Sequence, residues 1–200
     1  MLHTLYVALL AICWGGVTLC WIIGWIYNLR KAPAVQRRTT FLPAWIFGIV
    51  LVWLATILLR YNVFAFFTFT QLWLQVIGAI LLIGATAFTL WARWVLGIMW
   101  AAVAVIKEDH QLRTGGPYRI TRHPIYTGLI GMMLGSMLMS GFGLWILYFI
   151  VGLIAVIGKA TSEERLLTST FGEQYTQYRQ RVPQLIPGTP LLRWKQSQTV

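Results

Sequence analysis

Residues 1–29, 39–59, 61–92 and 123–158 contain no Lys, Arg, Asp or Glu. Those four runs constrain the fold of this 200-residue chain more than any other property. A helix needs about 20 apolar residues to cross about 30 Å of hydrocarbon. The first run accommodates one span, Leu2–Tyr27, and the second another, Phe41–Leu59. In the third, the aromatic, Thr-rich start Tyr61–Gln71 reads as interfacial and Leu72–Ala92 as the span. The fourth run is too long for one ordinary helix and slightly short for two. Ser140-Gly141-Phe142-Gly143 near its middle predicts a tight hairpin between Ile125–Met139 and Leu144–Gly158. The expected fold is an all-α integral membrane bundle of five transmembrane helices. The last two form a hairpin, and a C-terminal helical segment lies in the cytoplasm.

Composition supports that reading. Hydrophobic residues make up 58% of the chain and charged residues 10%, against about 25% charged in an ordinary soluble domain. A soluble or a disordered chain is excluded. Eleven Trp, ten Phe and eight Tyr fit membrane–water interfaces. The net charge of +11 would point to nucleic acid in a soluble protein. Here its placement points to one membrane face, and no nucleic-acid partner is expected.

Basic residues favour cytoplasmic loops. Arg30, Lys31, Arg37 and Arg38 follow the first span. Arg93, Lys107, Arg113, Arg119 and Arg122 follow the third. Lys159, Arg165, Arg179, Arg181, Arg193 and Lys195 follow the fifth. With the N-terminus outside and the C-terminus cytoplasmic, fifteen of the sixteen basic residues lie inside and only Arg60 outside. The membrane itself, a bacterial inner membrane or an endoplasmic reticulum, is left open. The N-terminal stretch lacks a basic start and is too long for a signal peptide, so a retained helix is expected. Cys13 and Cys20 share the first span, about 10 Å apart at 1.5 Å rise per residue, beyond disulfide reach. Gly15-Gly16 and Gly24 suit close helix packing.

All five acidic residues lie after position 107, in two polar strips flanking the hairpin. The division expected is therefore residues 1–106, carrying the first three spans and a connector, and residues 107–200, carrying the chemistry. In the first strip, Gly115-Gly116-Pro117 imposes irregular backbone, whose free N–H and C=O groups suit a ligand. Pro124 fits the first turn of a helix capped near His123, and that turn presents N–H groups suited to a carboxylate. A plain loop whose arginines meet lipid phosphates is equally compatible with these residues alone. In the second strip, Lys159 and Glu163 are four apart on one helix face, either a solvated ion pair or a pair aimed at a polar ligand. Tyr175 and Tyr178 likewise share a face, and Pro183, Pro187 and Pro190 end regular helix.

Several pieces stand in a shared order: His110-x-Leu112, Gly116-x-Tyr118, Arg122-His123-Pro124-x-Tyr126-x-Gly128, Glu163-Glu164, and Phe171-Gly172-x-x-Tyr175-x-x-Tyr178 with Arg181-Val182-Pro183. Together they resemble the isoprenylcysteine carboxyl methyltransferase family and its phospholipid N-methyltransferase relatives, over roughly residues 107–188. The resemblance implies an integral membrane methyltransferase that uses S-adenosylmethionine and releases S-adenosylhomocysteine. It implies a lipophilic or lipidated acceptor arriving from the bilayer, and carboxyl O-methylation of a prenylcysteine-like substrate as the reaction. No Rossmann fingerprint is present, in keeping with that family.

By position, the resemblance assigns cofactor contacts to His110, Gln111, Leu112, Arg113, Tyr118, His123, Pro124, Ile125, Tyr126 and Glu163, with Tyr175 and Tyr178 beside them. Arg122, Lys159 and Arg181 are candidates for an anionic acceptor group, and Glu164 for a base. The family's acceptor-binding arginine aligns with Lys159, which keeps the charge but loses the bidentate fork. No metal is assigned. Phospholipid-type N-methylation and a non-enzymatic membrane scaffold are the alternatives. A transporter ranks below both, since no span carries a midplane charge.

Overall fold

The computed structural model describes residues 2–31, 35–38, 71–99, 105–107 and 112–187. Its helices are α1 (Leu2–Lys31), α2 (Leu72–Leu96), α3 (Pro124–Ser140), α4 (Trp145–Phe171) and α5 (Glu173–Arg181). The expected span over Phe41–Leu59 and the site residues His110 and Gln111 lie outside the described residues. Thr4–Asn28, Leu72–Leu96 and Trp145–Phe171 are each long and apolar enough to cross a membrane, while Pro124–Ser140 is a shorter apolar helix. Large side chains such as Ile12, Ile80 and Ile154 are about two-thirds exposed. Exposed apolar area on that scale belongs against lipid, not water.

One element is not in the sequence expectation. Strands β1 (Val35–Arg38) and β2 (Val105–Lys107) pair antiparallel, with Val35 opposite Lys107 and Arg38 opposite Val105. The pairing joins the basic segment after α1 to the segment after α2. Period-2 patterning over three or four residues is too short to read from sequence.

The bundle is held where backbones approach most closely. On α3, Gly128, Gly131 and Gly135 meet α2: a Cβ at Gly135 would lie 2.8 Å from the Gly78 carbonyl oxygen and from the Leu82 nitrogen. Those neighbours are backbone and cannot step aside, so only glycine fits. In lipid there is little hydrophobic drive between helices, and small residues that let backbones touch do the work. Around this crossing Cys13, Val17, Leu82, Ala85, Met132 and Met139 form the core. Trp14 Nε1 donates to Ser136 Oγ at 3.0 Å, and Ser136 Oγ donates to the Met132 carbonyl at 2.7 Å, which ties α1 to α3.

α3 ends as its glycines predict. Gly141 adopts φ 84° and ψ 33°, and the Met137 carbonyl accepts both its N–H and that of Phe142. This left-handed cap stops the helix. α4 then starts at Trp145, outlasts its apolar first half, and carries Lys159, Glu163 and Glu164 on its extension to Phe171.

Candidate active site

Pro124 opens α3 at a position where its missing N–H is no loss. The two residues before it are stitched to the far end of the chain. Arg122 N–H donates to the Pro183 carbonyl at 2.9 Å, and His123 N–H to Gln184 at 3.1 Å. Thr127 Oγ1 donates to the Leu185 carbonyl at 2.6 Å. The C-terminal strap 182–185 therefore runs alongside the start of α3, and α5 is drawn over the same region.

Arg122 is the hub of this joint. Its Nε and Nη2 meet Glu164 Oε1 at 2.7 and 2.6 Å. Its Nη1 donates to the Val182 carbonyl at 2.6 Å and the Arg179 carbonyl at 3.2 Å. Four of its five N–H groups thus face protein acceptors. Burial alone would raise the Glu164 carboxyl, but His123 and the Arg122 guanidinium outweigh it and hold the group below the usual carboxylate range. Arg179 Nε stands 3.7 Å from the second oxygen, Oε2. An ionised carboxylate this fully engaged is poorly suited to the role of base.

Glu163, one residue earlier, faces outward. Its side chain is 31% exposed, against 10% for Glu164 and 8% for Arg122. Tyr126 OH donates to Glu163 Oε2 at 2.8 Å. The His123 ring stacks on Tyr126 with centroids 5.5 Å apart. Its Nδ1 lies 3.8 Å from Glu163 Oε2, and its Nε2 lies 3.4 Å from Glu164 Oε1 without an aligned hydrogen bond. Lys159 Nζ stands 5.9 Å from the Tyr126 ring centroid, within cation–π range.

Two tyrosines of α5 are buried beside this joint. Tyr178 OH donates to the Tyr118 carbonyl at 2.5 Å, fastening α5 to the Gly116–Arg119 turn. Tyr175 is 1% exposed, and its hydroxyl has no hydrogen-bond partner among the described residues. Burial, and next the nearby glutamates, raise the phenols of Tyr118 and Tyr175 well above the ordinary value; burial also raises Tyr178, so all three remain proton donors.

The structure brings together Tyr118, Arg122, His123, Tyr126, Lys159, Glu163, Glu164, Tyr175 and Tyr178 from the two strips. Leu112 packs against the cluster formed by Tyr175, Tyr178 and Val182. Pro124 and Ile125 are buried helix-start residues. Arg113 and Arg181 are exposed. Sequence reasoning missed the strap residues Gln184 and Leu185, which act through backbone carbonyls and leave no side-chain signature. It also took Arg93 for a loop cation; that residue is 6% exposed.

Comparison with known proteins follows the same region. Residues 73–174, just over half of the chain, match the family model described as phospholipid methyltransferase. A protein-S-isoprenylcysteine O-methyltransferase of Schizosaccharomyces pombe is 40% identical over 84 residues, covering 42% of this chain and 36% of that protein. Protein-S-isoprenylcysteine O-methyltransferase B of Arabidopsis thaliana is 35% identical over 82 residues, 40% of this chain and 42% of that protein. The chain thus matches less than half the length of either curated relative. The solved structure of a eukaryotic intramembrane Ras methyltransferase, isoprenylcysteine carboxyl methyltransferase, superposes with a TM-score of 0.56 at 24% identity. That match covers 75% of this chain and 54% of the other, and it establishes likeness of fold.

Proposed function

The chain belongs to the phospholipid methyltransferase family, and from that premise we propose that it is an integral membrane methyltransferase. The donor is S-adenosylmethionine and the acceptor a lipophilic molecule, with carboxyl O-methylation of a prenylcysteine-like substrate as the reaction. The observation that carries this reading is the outward-facing Glu163, set by Tyr126 OH at 2.8 Å in front of the buried Arg122–Glu164 pair.

The residues fit the donor. A partly exposed carboxylate beside the stacked Tyr126 and His123 rings suits a cationic group. The buried Tyr175 hydroxyl lacks a partner among the described residues, which suits a polar ligand atom. Glu163, His123, Tyr126 and Tyr175 would hold the donor, with Tyr118 and Tyr178 shaping the wall. When bound, S-adenosylmethionine supplies an electrophilic methyl group on a sulfonium sulfur. Tyr126 fixes the orientation of Glu163, and the Arg122–Glu164 joint holds both polar strips in register. Lys159, where α4 changes from apolar to polar, receives the acceptor's anionic group, with exposed Arg181 as an outer candidate. An acceptor carboxylate held at Lys159 would already be anionic. No proton need move, so catalysis rests on positioning.

We place this site on the cytoplasmic face, on a catalytic region formed by residues 107–200. The β1–β2 pairing supports that topology, because it sets the segments after α1 and after α2 on one side. α2 alone would carry the chain to the opposite face. The span expected over residues 41–59, outside the described residues, would restore the side, and α3 with α4 as a membrane hairpin would complete five spans.

The family's description favours a second reading, a phospholipid amine as acceptor. An ammonium must first lose a proton, and Glu164 is already committed to Arg122. A scaffold that only packs would bind no donor. Titration calorimetry of the purified full chain with S-adenosylhomocysteine separates a methyltransferase from a scaffold: the wild type binds and Glu163→Ala does not. Unchanged affinity in Glu163→Ala would sink the assignment. Turnover of a farnesylated cysteine, but not of phosphatidylethanolamine, selects the carboxyl acceptor.

A further inference from the structure

We propose that Arg93 is a positioning residue of the methyl-transfer site, and that α1 takes part in building the site by seating it. The inference rests on the reading of the site as a methyltransferase centre, and it gives a role to a helix lying outside the matched segment 73–174.

Arg93 stands in the last turn of α2, 6% exposed, at the inner end of an apolar span. A buried guanidinium there is costly to keep, so its surroundings are informative. Gly24 of α1 lies directly against it. A Cβ added at Gly24 would overlap Arg93 Nη2 and stand 2.9 Å from Cζ. Gly24 is therefore the notch into which the guanidinium fits. Nη1 donates to the Gly97 carbonyl at 3.0 Å, which ties the head to the turn that ends α2. The guanidinium thus ties the end of α2 to α1, beside the packing of Trp21 on the Ala92–Ile125 cluster.

The same helix end carries the wall of the site on another face. Gly116 opens the Gly116–Arg119 turn at φ 60°, and a Cβ there would meet Val95 at 3.4 Å and Trp91 at 3.7 Å. Tyr118 in that turn is buried and accepts the Tyr178 hydroxyl on its carbonyl. Its phenol feels the charges of both Glu163 and Arg93, with opposite sign. The contacts run from Gly24 to Arg93, along α2 to Trp91 and Val95, and through Tyr118 to Tyr178. Displacing the guanidinium shifts the wall against which donor and acceptor are aligned, and misplacement on the scale of 1 Å costs about 10²-fold in rate.

The test uses the purified full chain in detergent with four variants: Gly24→Ala, Arg93→Ala, Arg93→Lys and Gly24→Ala/Arg93→Ala. The first readout is the melting temperature, which needs no turnover. Gly24→Ala lowers it in the wild-type background but not in the Arg93→Ala background, where the added methyl meets no guanidinium. Additive losses would overturn the seating. The second readout is kinetic. Gly24→Ala and Arg93→Ala lower kcat about tenfold or more with the KM for S-adenosylmethionine changed less than threefold, and Arg93→Lys recovers part of kcat. An unchanged kcat in Arg93→Ala overturns the positioning role. Absence of turnover in the wild type refutes the methyltransferase reading instead, and the melting data still judge the seating.

Discussion

Arg122 and Glu164, forty-two residues apart in sequence, meet through two guanidinium N–H groups on one carboxylate oxygen, at 2.6 and 2.7 Å, with both side chains about nine-tenths buried. This contact joins the start of α3 to the extension of α4. Removing one partner of such a pair leaves an uncompensated buried charge and typically costs about 3–5 kcal/mol. Arg122→Ala and Glu164→Ala should each lower the melting temperature sharply. The double variant Arg122→Met/Glu164→Leu should lose less than either single one. Thermal denaturation in detergent checks the order; equal losses in all three would remove Arg122 from the hub.

The same pair sets an acid limit. Glu164 is held below the ordinary carboxyl value of about 4.3. A carboxyl whose folded value is depressed stabilises the fold when ionised. Its contribution is complete above the ordinary value and is lost as pH falls through the lower folded one. Melting temperature measured from pH 6 to pH 3 should fall in the acid range, and Glu164→Gln should flatten that fall while lowering stability at neutral pH.

Tyr175 and Tyr178 share a helix face but differ in partners. Tyr178→Phe deletes the hydrogen bond to the Tyr118 carbonyl and leaves that acceptor buried, a loss of about 1–3 kcal/mol. Tyr175→Phe removes a buried hydroxyl with no hydrogen-bond partner among the described residues, so ligand-free stability should hold or rise slightly. Its donor affinity should fall by about tenfold. Melting curves with and without S-adenosylhomocysteine separate the two effects, because a ligand at free concentration L that binds only the folded state stabilises it by RT ln(1 + L/Kd).

Gly135→Ala should destabilise by more than a helix-propensity gain can offset. Its new methyl meets the Gly78 carbonyl and the Leu82 nitrogen at 2.8 Å, and both are backbone. Overpacking of this kind typically costs about 1–3 kcal/mol. Gly84→Ala, on the same bundle but with nothing within 4 Å, is the control and should leave the melting temperature unchanged or slightly raised.

Much of this fold was legible without coordinates because lipid imposes a one-dimensional rule. Uncharged length decides what spans, and the starts of α1, α2, α3 and α4 fall within about two residues of those read from charge and glycine punctuation. The paired strands Val35–Arg38 and Val105–Lys107 were not legible, since no local pattern reports on a partner about seventy residues away.

At the site, the sequence by itself determined which residue types stand in the two polar strips that flank α3 and α4: Arg122-His123-Pro124-x-Tyr126, Glu163-Glu164 and the Tyr175–Tyr178 pair. It could not apportion their roles. Arg122 reads as a cation for an acceptor and Glu164 as a base until the fold turns both inward and leaves Glu163 facing out. Lys and Arg in a span's last turn likewise look alike until Gly24 shows that Arg93 is seated between helices. The reason is physical. Residue type and spacing set the local helix face, but burial and hydrogen-bond partnership depend on which other segment arrives, and only tertiary packing decides that.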